Sequence, residues 1–248
     1  MISQVTDSAL LLGGASLAGS ALGFIFRRIP HRLNDIFLGY CAGMMLAAAI
    51  VCLAIPAVEQ VGHSGLWQVA LGIAAGAIVI SMLDMVTPHL HNLTGLDVEE
   101  HHNNASLNRV LLFVIAIALH KLPEGMATGV AFDGTSLDNA ESLSFSIALQ
   151  NIPEGLVIIT PLLMAGISWP RAMTVAAIVA GLEMAGVYIG YWVGSLSQAM
   201  LPALMGMASG AMIYVISDEM IPETHSHGYQ KAATYALIAG FITLFFIE

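Results

Sequence analysis

The stretch VLLFVIAIALHKLPEGMATGVAF, residues 110–132, is apolar on both sides of a histidine, a lysine and a glutamate, and its reading decides the fold. It is long enough to cross a hydrocarbon core, which takes about 20 residues in a helix. Yet it holds Lys121, one of only seven basic residues in a chain of 248. With 57% hydrophobic and 10% charged residues, the composition is that of an integral membrane protein, not of a water-soluble domain. The polar residues in the run therefore have to be explained inside a membrane.

Seven further runs are apolar enough to cross: about 9–26, 36–58, 66–86, 143–163, 172–195, 199–221 and 232–247. The expected architecture is all-α and polytopic, with eight transmembrane helices in one bundle and residues 1–248 forming a single transporter-sized domain without a linker. No cleavable signal peptide is expected, because MISQVTDSALLLGG lacks a basic n-region and runs straight into the first span. Arg27, Arg28 and Arg32 follow span 1, Arg109 opens span 4, Arg171 precedes span 6 and Lys231 precedes span 8. With eight spans these positions share one side, which the positive-inside rule makes cytoplasmic, so both termini are expected to face outward. Lys121 alone is left over.

The longest connection, residues 87–109, is expected on the cytoplasmic side and contains His89, His91, His101 and His102; the sequence ETHSHG adds His225 and His227. Such clusters either bind metals weakly or form ordinary polar loops, and the sequence leaves both open. Cys41 and Cys52 fall in span 2, eleven residues apart on one helix, too far to pair, and read as small packing residues. A net charge of −10 argues against nucleic acid as a partner.

HKLPEG at 120–125 is echoed by QNIPEG at 150–155, in spans 4 and 5, which run in opposite directions. Each proline frees the carbonyl four residues before it, those of Leu119 and Leu149, and such opened helices at membrane depth line sites or cavities. At about 100° per residue, Glu124 projects between His120 and Lys121, and Glu154 between Gln150 and Asn151. Span 6 adds Glu183 near its centre. Each carboxylate at mid-bilayer costs about 2.5–3.5 kcal/mol on insertion scales, so three of them call for compensation, and a divalent cation supplies it. Imidazole and carboxylate oxygens suit zinc and its first-row neighbours, and a thioether extends the set toward softer metals. No HExxH or GxSxG is present, and HKLPEG has the wrong order of His and Glu for a zincin, so no enzyme is expected.

HKLPEGMATGV in span 4 and ALQNIPEGLVI in span 5 resemble the paired metal-binding helices of the ZIP family of divalent-metal transporters, above all its bacterial members. The resemblance extends to AGMMLAA in span 2, LDMVTPHLH after span 3, GLEMAG in span 6 and GAMIYVISDEMIPETHSHG from span 7 onward. It implies a primary metal site of Met45, His120, Glu124, Gln150 and Glu154. It implies a second site sharing both glutamates, with Lys121, Asn151 and Glu183. Members usually have Asn where Lys121 stands, and some have Asp in place of Asn151, so ligand capacity is lost from the second site. Glu59 and His63 would lie toward an entrance path, and Asp84, His89, Asp218 and Glu219 toward an exit path. Each also has a plain reading as an interfacial charge or a helix cap.

Protonated lysine has three donors and no acceptor, so Lys121 cannot ligate a metal and is expected to pair with Glu124 or Glu183 as a tethered cation in the second site. The resemblance implies transport of zinc, or of cadmium, iron or manganese, into the cytoplasm by alternating access, one helix bundle sliding against another. The metal is cargo and no cofactor is expected. Placement in a bacterial cytoplasmic membrane follows, with the bilayer as surroundings and a homodimer left open. The alternatives are an intramembrane metalloenzyme, which needs an open coordination position, and a metal-sensing membrane protein that binds without moving ions.

Overall fold

The computed structural model describes residues 2–23, 30–93, 121–164 and 166–247, and for residues 31, 84–93, 157, 161 and 164 the backbone only. Every element among the described residues is helical. In chain order these are α1 (Ile2–Leu22), α2 (His31–Ala47), α3 (Ile55–Leu93), α4 (residues 121–134), α5 (Leu137–Met164), α6 (Trp169–Leu196), α7 (Leu201–Val215), α8 (Ile221–Thr224) and α9 (Gln230–Ile247). A π-helical segment, Ala48–Ala54, joins α2 to α3, and another, Ile216–Met220, joins α7 to α8. All backbone polar groups satisfied within helices is what a hydrocarbon surround demands.

Six stretches among the described residues are long and apolar enough to cross a membrane: Ile2–Leu22, Arg32–Leu83, Leu137–Thr160, Trp169–Leu196, Gln198–Thr224 and Gln230–Ile247. The chain is thus a polytopic membrane protein. The count differs from the eight expected for two physical reasons. Expected spans 2 and 3 fall in one 52-residue stretch, broken at Gly62 by a left-handed conformation (φ 58°, ψ −168°) that glycine adopts without a Cβ penalty. Expected span 4 is described only from residue 121 onward, where α4 is too short to qualify. Seven residues expected to begin the long loop, 87–93, instead continue α3; residues 94–109, with His101 and His102, lie outside the described residues.

Lipid tails are as apolar as leucine, so helices associate through close packing more than through hydrophobic contact. Glycines provide that closeness at four seams, where a methyl group would collide with a carbonyl of the facing helix. Gly19 faces Ile152 between α1 and α5, and Gly129 faces Val187 between α4 and α6. Gly43 faces Leu237 between α2 and α9, and Gly76 faces Met207 between α3 and α7. Each seam is reciprocal, through Gly155, Gly190, Gly240 and Gly210 respectively. Since α1 also packs along α6, the helices fall into two sets, α1–α4–α5–α6 and α2–α3–α7–α9. Between the sets lies an apolar layer that includes Cys41, Met45, Ile147, Ala148, Val187 and Met212.

Candidate metal site

Pro123 and Pro153 place the two Pro-Glu-Gly turns on α4 and α5, and the glycine seam that lets Gly125 approach the Glu183 backbone draws α6 against α4 at the same level. Six polar side chains converge there, all buried: Lys121, Glu124, Gln150, Asn151, Glu154 and Glu183. Lys121 Nζ lies 2.7 Å from Glu124 Oε2, 2.5 Å from Glu154 Oε2 and 3.5 Å from Glu183 Oε1. It also donates to Asn151 Oδ1. The ammonium thus donates to the Glu124 carboxylate and the Asn151 amide oxygen, with Glu154 and Glu183 held beside it by charge.

The amides complete the network. Asn151 Nδ2 donates to Glu183 Oε1 at 2.7 Å and to the Leu12 carbonyl of α1 at 3.2 Å. Gln150 Nε2 donates to Glu124 Oε1. Gln150 Oε1, Glu154 Oε2 and Glu183 Oε2 are buried and accept no hydrogen bond, which leaves oxygen lone pairs unused among the residues of the cluster. If all three carboxylates are ionised they outnumber the one ammonium by two charges, and uncompensated charge in a dry interior is costly. One divalent cation held by oxygen donors would balance them.

The six residues singled out on α4, α5 and α6 are therefore brought together. Met45 is buried in α2 one helical turn beyond Cys41, whose Sγ donates to the Gln150 carbonyl at 3.5 Å. That puts the thioether on the face of α2 turned toward α5. His120 lies outside the described residues. Glu59 and His63 are exposed beside Gly62, away from the cluster, and Asp218 and Glu219 lie on the π-helical segment after α7, exposed and half-buried respectively. Asp84 and His89 are on α3, their side chains outside the described residues.

Four contacts were not anticipated. Lys121 pairs most closely with Glu154, not with Glu124 or Glu183 alone. Cys41, read as packing, bonds the opened part of α5. Gln60 Nε2 donates to the Gly134 carbonyl, tying the two sets at one end. Asp35, fully buried near the start of α2, pairs with His227 at 3.0 Å, and the only hint of this was an acid just outside an apolar run.

A family model described as "ZIP Zinc transporter" matches residues 89–248. Zinc transporter ZIPB of Bordetella bronchiseptica is 40% identical over 250 residues, covering 97% of this chain and 80% of the relative. Zinc transporter GufA of Myxococcus xanthus is 35% identical, covering 95% and 94%. Zinc transporter ZIP11 of Homo sapiens is 28% identical, covering 95% and 93%.

Proposed function

The chain belongs to the ZIP zinc transporter family, and from that premise we propose that it carries zinc into the cytoplasm through the cluster on α4, α5 and α6. The observation that carries this reading is the convergence of three buried carboxylates, Glu124, Glu154 and Glu183, on the single ammonium of Lys121 at the level of two opened helices. Glu124, Gln150 and Glu154, with His120 and the thioether of Met45, would hold the ion. Lys121 takes the place of a second metal beside Asn151 and Glu183, so one ion moves per cycle.

Eight crossings, both termini outward and a bacterial cytoplasmic membrane complete the proposal. Glu59 and His63 would mark the entrance; Asp84, His89, Asp218 and Glu219 would mark the exit. The two glycine-seamed sets support alternating access by sliding. Every charged member of the cluster sits on one set, and only Met45 comes from the other. Protons taken up by Glu124 or Glu154 on release would make the cycle pH-dependent.

Uptake of zinc, cadmium, iron and manganese into sealed vesicles at two pH values, for the wild type and Glu124→Ala, tests the reading. Zinc accumulation that Glu124→Ala abolishes is expected. Binding without accumulation would favour a metal sensor, and metal-dependent turnover of a substrate would favour an enzyme; either result overturns transport.

A further inference from the structure

On the side of α5 that faces away from the cluster, a crevice of about 660 Å³ opens between the two helix sets. Phe37 and Tyr40 of α2 form one wall, Ile152 and Pro153 of α5 the other, and Ala236 and Ala239 of α9 line a third side. Every side chain lining it is apolar apart from the tyrosine hydroxyl. Its mouth is open to the surroundings, since Phe37 and Leu33 are 37% and 44% exposed. All these helices belong to stretches of membrane-crossing length, so what meets the mouth is hydrocarbon. A space of this size lined by carbon has too few polar partners to hold ordered water, and left empty it would forfeit the dispersion contacts of both walls.

Charge at one end selects among lipids. Arg32 lies exposed in the first turn of α2, next to Leu33 at the mouth and one turn before Ile36 in the lining. The nearest acid along that helix, Asp35, is fully buried with Oδ1 turned to His227, so it lies away from the exposed rim where Arg32 stands. A guanidinium at the rim of a hydrocarbon slot binds the phosphate oxygens of a headgroup in pairs, and favours one of net negative charge over one whose own ammonium already neutralises the phosphate.

We propose that this crevice binds an anionic phospholipid, one acyl chain between α2 and α5 and the phosphate on Arg32. The site lies between the two sets and against Pro153, the residue before Glu154. An acyl chain there fills the seam along which the sets would slide, and so links bilayer composition to the transport reading. Binding itself does not depend on that reading.

The test uses the full chain in vesicles, with photoactivatable phosphatidylglycerol or phosphatidylcholine carrying the reactive group in the tail, and peptide mapping of the labelled sites. Phosphatidylglycerol should label the peptides holding Phe37 and Ile152 about fivefold more than phosphatidylcholine, the preference one basic residue supplies near a headgroup phosphate. Arg32→Gln should erase the preference while tail labelling remains. Ala239→Phe, at an exposed position that tolerates bulk, should remove crevice labelling from both probes and leave labelling at the exposed Trp192 of α6, a helix that does not line the crevice, unchanged. Equal labelling by both probes in wild type, or labelling no stronger than at Trp192, would reduce the crevice to ordinary surrounding lipid and overturn the proposal. Zinc uptake is not part of the readout, so a failure here is separable from a failure of transport.

Discussion

The α4–α6 and α3–α7 seams use the same device, glycines set against carbonyls, but what they flank differs. Beside Gly125 and Gly186 lie Lys121, Glu124 and Glu183; beside Gly76 and Gly210 lie Met205, Ala208, Ala211 and Met212. Close backbone approach therefore does not depend on the polarity of the interior it borders. It fixes helices within each set, while the Lys121–Glu124–Glu154–Glu183 cluster is confined to one set and the other set's buried acid, Asp35, is paired with His227 away from these seams. The contrast fits one half of the molecule carrying charge and the other half presenting a smooth wall to it.

The sharpest way to break this contrast is to remove one cation ligand from each side. Glu154→Gln keeps shape and loses a charge next to Lys121, so zinc uptake into vesicles should fall at least about 100-fold, some 2.7 kcal/mol of binding. Met45→Ala removes one neutral donor from the wall, and uptake should fall by about tenfold or less. Equal losses would mean that the two sets share the ion evenly.

Lys121→Asn is read in stability as well as in binding. It leaves Glu124, Glu154 and Glu183 without their cation, so metal-free protein should lose about 3–5 kcal/mol of stability in thermal unfolding, as when a buried ion pair loses one partner. Added zinc should restore it, with two ions bound per chain in equilibrium dialysis or anomalous diffraction. A stoichiometry that stays at one would end the idea that the ammonium stands in for a metal.

Part of this arrangement is legible in the sequence. The two Pro-Glu-Gly turns and the 100° step place Glu124 near Lys121 and Glu154 near Asn151, because angles within one helix are fixed by its geometry. Partners across helices are another matter. That Glu154 is the carboxylate nearest Lys121 and that Asn151 reaches the Leu12 carbonyl depends on how α1, α4 and α5 are rotated against one another, which glycine seams decide and helical angles do not. Gly62 was equally hidden: VEQVGHSG reads as a loop, yet one residue with positive φ suffices to break the helix. Asp35 lay at the margin of a span, where an acid is ordinary, and only the packing of His227 against it shows that it is buried.

Glycine substitution tests the first half of the contrast. Gly129→Ala in the charged set and Gly76→Ala in the apolar set should each cost about 1–3 kcal/mol, the range for an added methyl in a closed core. Parallel drops in melting temperature are expected, since both methyls meet a backbone carbonyl that cannot swing aside. A harmless Gly76→Ala beside a costly Gly129→Ala would show that the tight packing serves the ion site and not the sets as bodies.

The smallest expected effect lies between the sets. Gln60 Nε2 donates to the Gly134 carbonyl at the end of α4, and the same nitrogen approaches Met205 Sδ of α7 at 3.7 Å. This is a tie from one set to the other at the end of the bundle where Glu59 and His63 are exposed. Gln60→Leu keeps the bulk and deletes the donor, about 1 kcal/mol for one hydrogen bond. If the sets move as bodies, hydrogen exchange should rise about fivefold in peptides covering residues 128–136 and stay unchanged along the α3–α7 seam, because the bond is lost between the sets and not inside either. Faster exchange along that seam as well would mean that Gln60 holds its own set together, and that the boundary between carrier and wall lies elsewhere.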